Sequence, residues 1–160
     1  MRKSVLLSLL ILITLSNGFA FDVNDLSKLK KNKPCSGCNL MKANLEGVQL
    51  EDIKLVRAKL NSADLSNANL KGANFEEADL SDSILKNTNL RFTNLVDANL
   101  SGADLSGADL TGADLDGAKL NNTNLSGADL RNATLYGSTL RNVNLKGAKN
   151  CPEEISKLCI

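Results

Sequence analysis

The sequence predicts a solenoid, a chain wound around one axis from a short unit repeated many times. Three observations predict it. A large apolar residue recurs at every fifth position from Leu40 to Leu145. The position two residues after each is rich in Gly and Asn, which tolerate the positive φ of tight turns. Aromatic residues are only 3% of the 160-residue chain and Trp is absent, so a core must be built from aliphatic side chains.

The beat of five excludes the two ordinary elements. In an α-helix, five steps make about 500°, so successive leucines would circle the axis and leave no dry face. In a flat strand an odd period would send them to alternate faces. Five residues keep every leucine on one side of the backbone only if the chain turns once per repeat. Internal periodicity with one small unit is the mark of a solenoid.

The repeat is regular enough to define by slots. Of 22 central slots, 21 hold Leu and one holds Phe75. The slot two before the centre is Ala 13 times; elsewhere it is Cys38, Val48, Ile53, Ser83, Thr88, Thr93, Thr123, Ser138 or Val143, all small or β-branched. The slot one before is Asn or Asp in 15 cases, and the slot two after is Gly nine times and Asn five times. The stretch 101–120, SGADLSGADLTGADLDGAKL, shows the pattern at its purest.

Units such as Ala63-Asp64-Leu65 and Ala68-Asn69-Leu70, continued over residues 38–149, resemble the pentapeptide-repeat family. The resemblance implies an all-β fold, a right-handed quadrilateral β-helix in which four repeats make one square coil of 20 residues. The central Leu and the small residue then point inward. Twenty-two repeats give about 5.5 coils, and at about 4.8 Å per layer a rod roughly 26 Å long. Leu and Ala together fill a narrow square section. Phe75 needs more volume, so smaller neighbours or a bulge are expected beside it.

Residues 1–20 differ from the rest. Arg2 and Lys3 precede an apolar run from Val5 to Leu15, and Gly18 and Ala20 stand at the −3 and −1 positions of a cleavage site. This is the layout of a secretory signal peptide; an uncleaved anchor is the alternative, but the run is short for a membrane span. No other segment is apolar enough to cross a membrane, so no span is expected after signal removal. Export to the periplasm or secretion to the extracellular space follows, and in a photosynthetic source the thylakoid lumen is equally compatible.

A solenoid needs caps at both ends. In the N-terminal cap, 21–37, Asn24 or Asp25 is expected to cap a short helix with Leu26 and Leu29 on one face; Lys28, Lys30, Lys31 and Lys33 make its end basic, and Pro34 stops it. In the C-terminal cap, 150–160, Pro152 suits a first helical position, Glu153 and Glu154 suit the helix dipole, and Ile155, Leu158 and Ile160 either cover the last coil, the preferred reading, or dock on another copy. The four cysteines lie only in these regions, and an even count in an exported chain points to disulfides. Given the rod length implied by the resemblance, bridges between the ends are too long, so Cys35 pairs with Cys38 and Cys151 with Cys159. A continuous α-helix would hold the second pair about 12 Å apart, so that bridge needs a short helix with a bent tail. The resemblance extends to exported family members with a C-x-x-C just before the first repeat.

Composition narrows function. The formal charge is +1, from 19 basic and 18 acidic residues, which implies no nucleic-acid partner. With no His, the commonest general base and zinc ligand are missing. A four-thiolate zinc site fails on the separation of the cysteine pairs. Asp104, Asp109 and Asp114 fall on three successive sides of the square, so they form no paired acid and base. No enzyme and no cofactor is expected.

Outer slots carry a few apolar residues. Val56, Val96 and Tyr136 share one side, and Ile84 and Phe92 take other outer slots; they are either scattered surface hydrophobes or a contact strip for a partner or a second copy. Three functions follow, in order. The first is a non-enzymatic exported rod, a scaffold or interaction module for a protein partner. The second is a DNA mimic acting on gyrase, as some family members are. The repeats oppose this reading, since they hold 12 basic and 14 acidic residues without a continuous anionic stripe. The third is thiol redox chemistry at Cys35 and Cys38, for which the βαβ context of a thioredoxin-type motif is missing.

Overall fold

The computed structural model describes residues 21–159. The predicted signal peptide over 1–20, and Ile160 of the predicted C-terminal cap, lie outside the described residues. Between a short N-terminal helix and a short C-terminal one, the chain is a right-handed quadrilateral β-helix. All nineteen parallel pairings join residues twenty apart, from Asn39 with Lys59 to Asp129 with Lys149. Twenty residues per lap is four repeats per lap, hence a square. Its sides are named here A to D, starting at Asn39, Asn44, Gln49 and Lys54, each with every twentieth residue after it.

Main-chain chemistry explains the period. In each interior repeat the central amide donates to the coil above, as Leu65 does to the Ile84 carbonyl at 2.7 Å. The amide before it donates to the coil below, as Asp64 does to Ala43 at 3.0 Å. The amide two after the centre also donates upward, and the next closes the corner on the central carbonyl, as Ala68 does on Leu65 at 3.1 Å. Each corner is thus a four-residue turn, and its third residue has positive φ throughout, from Gly37 to Gly147. That is the requirement of a type II turn. Gly meets it without strain, and Asn with little.

The fifth amide of each repeat, just after the central residue, is where the Asn and Asp of the preceding slot matter. All fifteen accept a hydrogen bond from the amide two residues on, as Asp64 does from Ser66 at 2.9 Å and Asn94 from Val96 at 3.0 Å. The slot is therefore an Asx turn that satisfies a donor the ladder leaves over. At Thr134 and Thr139 the amides of Tyr136 and Arg141 turn instead to Asp116 and Asn121 in the coil below.

The interior is largely apolar and continuous. Leu and Ala of the inner slots are buried in one cluster running the length of the rod, apart from Leu140 near its C-terminal end, which is partly buried. Where Ser or Thr replaces Ala the hydroxyl donates to a carbonyl, as Ser83 does to Leu80 at 2.6 Å and Thr88 to Leu65 at 2.9 Å. Among the described residues every buried side-chain nitrogen or oxygen has a partner. Phe75 is fully buried, and the ladder passes it in register through a 2.7 Å bond to Asn94, so the expected bulge is absent. Its neighbours in the stack are leucines 55 and 95, so no compensating small residue appears there.

The ends depart from expectation in detail. Helix α1 spans Val23–Lys30, and its cap is Asp22, which accepts from the amides of Asn24 and Asp25, rather than Asn24 or Asp25. Leu26 and Leu29 are buried beneath it. Cys35 bonds to Lys54 in the ladder as central leucines do, so Cys35-Ser36-Gly37-Cys38 is itself a corner of the rod. The solenoid therefore starts one repeat before residue 38. At the other end the helix is a 3-10 helix, Glu153–Leu158, with Pro152 just outside it instead of at its first position. Among the described residues no helix is long and apolar enough to cross a membrane.

Candidate interaction surface

The corners carry the side chains that the core and ladder leave for the surface. Val56, Val96 and Tyr136 lie at the corner between sides D and A, with Glu76 and Asp116 interposed between them. Phe92 lies at the corner between sides C and D. Ile84 lies on side B, across the square from D. The structure thus sets Val56, Val96, Tyr136 and Phe92 around one side and Ile84 apart from them. Tyr136 is 83% exposed and Phe92 56%.

Phe92 is the one residue here that the fold does not explain. Its φ is 57°, and the other positive-φ residues of the corners are Gly or polar. An aromatic residue there is strained by about 1 kcal/mol or more. The rod makes room for its ring. A Cβ on Gly112, one coil above, would lie 2.6 Å from the ring, so only Gly fits that position. Arg91 sits over the ring at 5.3 Å and bonds Asp109 at 3.2 Å. The ring is fixed in place yet half open to solvent.

Charge divides between the same two corners above the lowest coil. The corner between C and D carries Glu51 and Asp52 at its lowest level and Lys71, Arg91 and Arg131 above them. The corner between D and A carries Glu76, Glu77, Asp97 and Asp116, with Arg57 held on Glu77 by two bonds of 2.9 and 2.8 Å. That pair lowers the Glu77 carboxyl below its ordinary range and raises the Arg57 guanidinium, the hydrogen bond being the main cause in each.

The side-centre aspartates are engaged separately. Burial pushes the Asp104 carboxyl up, but bonds from Ser106 and Lys86 outweigh it and hold it below the ordinary value. Asp109 is held down in the same way by Thr111 and Arg91. Asp129 is lowered chiefly by Asn150. They stand on sides B and C, each an ionised acceptor in its own turn.

Both cysteine pairs are disulfides, Cys35–Cys38 and Cys151–Cys159. Cys35 occupies a central slot and Cys38 the small slot after it, 1% and 3% exposed. The Asp25 carboxylate lies beside these sulfurs. It accepts from Lys28 at 2.7 Å and from the Asn39 amide at 2.9 Å, which ties α1 to the first coil. Sequence reasoning missed the placement of Cys35, although counting back five from Leu40 reaches it. It also missed the charge division, which appears only when residues are sorted by corner.

These features define a class: four-sided β-solenoids built from five-residue repeats. The family model described as Pentapeptide repeats matches in eight copies, over residues 73–112, 83–122 and 108–147. Among solved structures the chain is similar to Rfr23, a pentapeptide repeat protein from the cyanobacterium Cyanothece 51142. The identity is 35% over 79% of this chain and 95% of that one, with a TM-score of 0.64. It is also similar to HetL, a pentapeptide repeat protein involved in heterocyst differentiation regulation from the cyanobacterium Nostoc, at 34% identity over 68% of this chain and 64% of that one, TM-score 0.39. QnrB1, a plasmid-mediated fluoroquinolone resistance protein, matches at 22% identity over 75% and 62% of the two chains, TM-score 0.48. No curated protein matches. The chain belongs to the pentapeptide-repeat family.

Proposed function

We propose that the protein is an exported, non-enzymatic rod that presents its corners to a protein partner. The observation that carries this reading is the division of labour among its polar side chains. The recurrent Asn and Asp are held in Asx turns, and the buried hydroxyls are bonded to carbonyls, so these groups serve the architecture. Carboxylates held ionised, each by donors of its own turn, are poorly suited to work as a general acid and base pair. The charged corners also present Phe92 and Tyr136, whose rings the ladder does not bury, and such groups are typical of interaction surfaces. Export draws support from the pattern of residues 1–20 and from two disulfides, which persist in oxidising compartments.

The test is crosslinking in the native envelope followed by mass spectrometry, with the mature N-terminus read in the same sample. The expected result is a chain beginning near Phe21, recovered with a protein crosslinked through the corners flanking side D. A chain found uncut in the cytosol removes the export part. Failure to recover any crosslinked protein removes the interaction part.

A further inference from the structure

The two charged corners flank one side of the square, and at three of its five levels their charges are opposite. Each coil rises about 4.8 Å, so residues five apart differ in height by only about 1.2 Å. At the lowest level Asp52 of the C/D corner is level with Arg57 of the D/A corner. One coil up, Lys71 is level with Glu76 and Glu77. Next come Arg91 with Phe92, level with Val96 and Asp97; above them Thr111 and Gly112 are level with Asp116, which meets no cation, and at the top Arg131 is level with Tyr136. The sign reverses between the first and second levels on both corners at once.

We propose that this side is the contact surface for a second copy of the chain, in a parallel two-fold dimer. A two-fold axis parallel to the rod and set in front of side D brings one copy's C/D corner onto the other's D/A corner. Each coil stays level with its counterpart. Every contact then occurs twice, as an isologous interface requires. Asp52 faces the second copy's Arg57, Lys71 its Glu76, and Arg91 its Asp97. Phe92 meets Val96, and Arg131 meets the exposed ring of Tyr136, a cation–π arrangement. An antiparallel dimer on the same side would set each corner against itself with the levels reversed, so Arg91 would face Arg91 and Glu76 would face Asp116, and only Asp52 against Arg131 would gain an opposite charge.

The proposal gives the strained Phe92 a use: an aromatic ring, fixed by Gly112 and Arg91, at the middle level of the contact. Along the axis Asn74 and Asn94 meet their own copies, and amides can pair with amides. Lys54 and Asp114 also meet their own copies, which opposes association. One side of a rod this short is a small interface, so the dimer is weak and salt-dependent.

Sedimentation velocity on the purified protein, from about 5 to about 500 μM, tests it. The expected result is a mass rising toward twice the monomer at low salt, with at least a tenfold weaker association at about 0.5 M salt. The double variant Lys71→Glu with Arg91→Glu stays monomeric, and so does Glu76→Lys with Asp97→Lys. Mixed in equal amounts they associate, because both contacts of the mixed dimer are complementary again. Lys42 and Arg57 already occupy the corner position that Asp97→Lys would fill, so a basic residue is tolerated there. As a measurement free of variants, zero-length carbodiimide coupling of isotopically mixed protein joins Lys71 to Glu76 between copies. A monomer at all concentrations overturns the proposal. So does a dimer indifferent to both double variants, or labelled mixtures without that crosslink.

Discussion

The two ends of the rod solve one problem with different materials. At the N-terminal end the cap is continuous with the lattice. Cys35 takes a central slot, Cys38 a small slot, Asp22 donates to Asn39, and Asp25 accepts from it. Leu29 is buried beneath α1. At the C-terminal end the ladder stops at the bonds between Leu130 and Lys149 and between Lys149 and Ala128. A 3-10 helix is then laid over the last coil. It buries Ile155, while Leu140, Val143 and Ala148 remain only partly covered and Leu158 is 57% exposed. A cap that continues the repeat inherits its hydrogen bonds and packing; a cap added across the end covers what it can reach.

The difference can be broken first by truncation. Leu29→Ala should cost about 2–3 kcal/mol in denaturant unfolding, as a buried leucine does, whereas Leu158→Ala should cost less than about 0.5 kcal/mol. Equal costs would mean that the C-terminal helix packs more tightly than its exposure indicates. Reduction comes next. Timed alkylation read by mass spectrometry should find Cys151–Cys159 opened well before Cys35–Cys38, because the latter is shielded by α1 and the former is only half-buried. Loss of the second bridge alone should lower stability by about 2 kcal/mol and loosen only the last coil in hydrogen exchange.

A smaller effect sharpens the N-terminal half of the comparison. Asp22→Ala should cost about 1 kcal/mol through the lost helix cap. The smallest expected effect is in pH. Lys28 and the Asn39 amide lower the Asp25 carboxyl, so its contribution is full above the ordinary Asp value near 3.8 and is lost as pH falls through the lowered one. Hydrogen exchange at the Asn39 amide should therefore quicken in acid relative to amides of the central coils. Asp25→Asn should abolish that pH dependence; exchange that quickens equally in the variant would assign the effect elsewhere.

The sequence made the interior legible because the interior is periodic. Every leucine from 40 to 145 is where the beat of five puts it, since one register satisfies the ladder, the turn and the core together. The four-sided section came from family resemblance, as periodicity alone requires only a turn per repeat. What stayed hidden was what the period does not govern. The Asx turns were visible as composition, but their partner is an amide that only the ladder shows to be spare. Asp22 was missed as a cap because Asn24 and Asp25 are equally good capping residues nearby. Phe75 was expected to disturb the coil and does not. The surface residues Val56, Val96 and Tyr136 were grouped correctly by spacing of forty, but Phe92 joins them around side D only when the square is closed, and Ile84 does not.

Phe92 and Gly112 also bear on how such a chain changes over time. Because positions twenty apart are stacked, a side chain at one corner decides what the next coil can accept. A substitution at 92 is thus felt at 112, in a different repeat. Duplicating or deleting a single repeat would shift every such pair onto different corners, whereas adding or removing four at once would preserve them. The lap, and not the pentapeptide, is the unit in which this rod can grow or shrink without losing its surface.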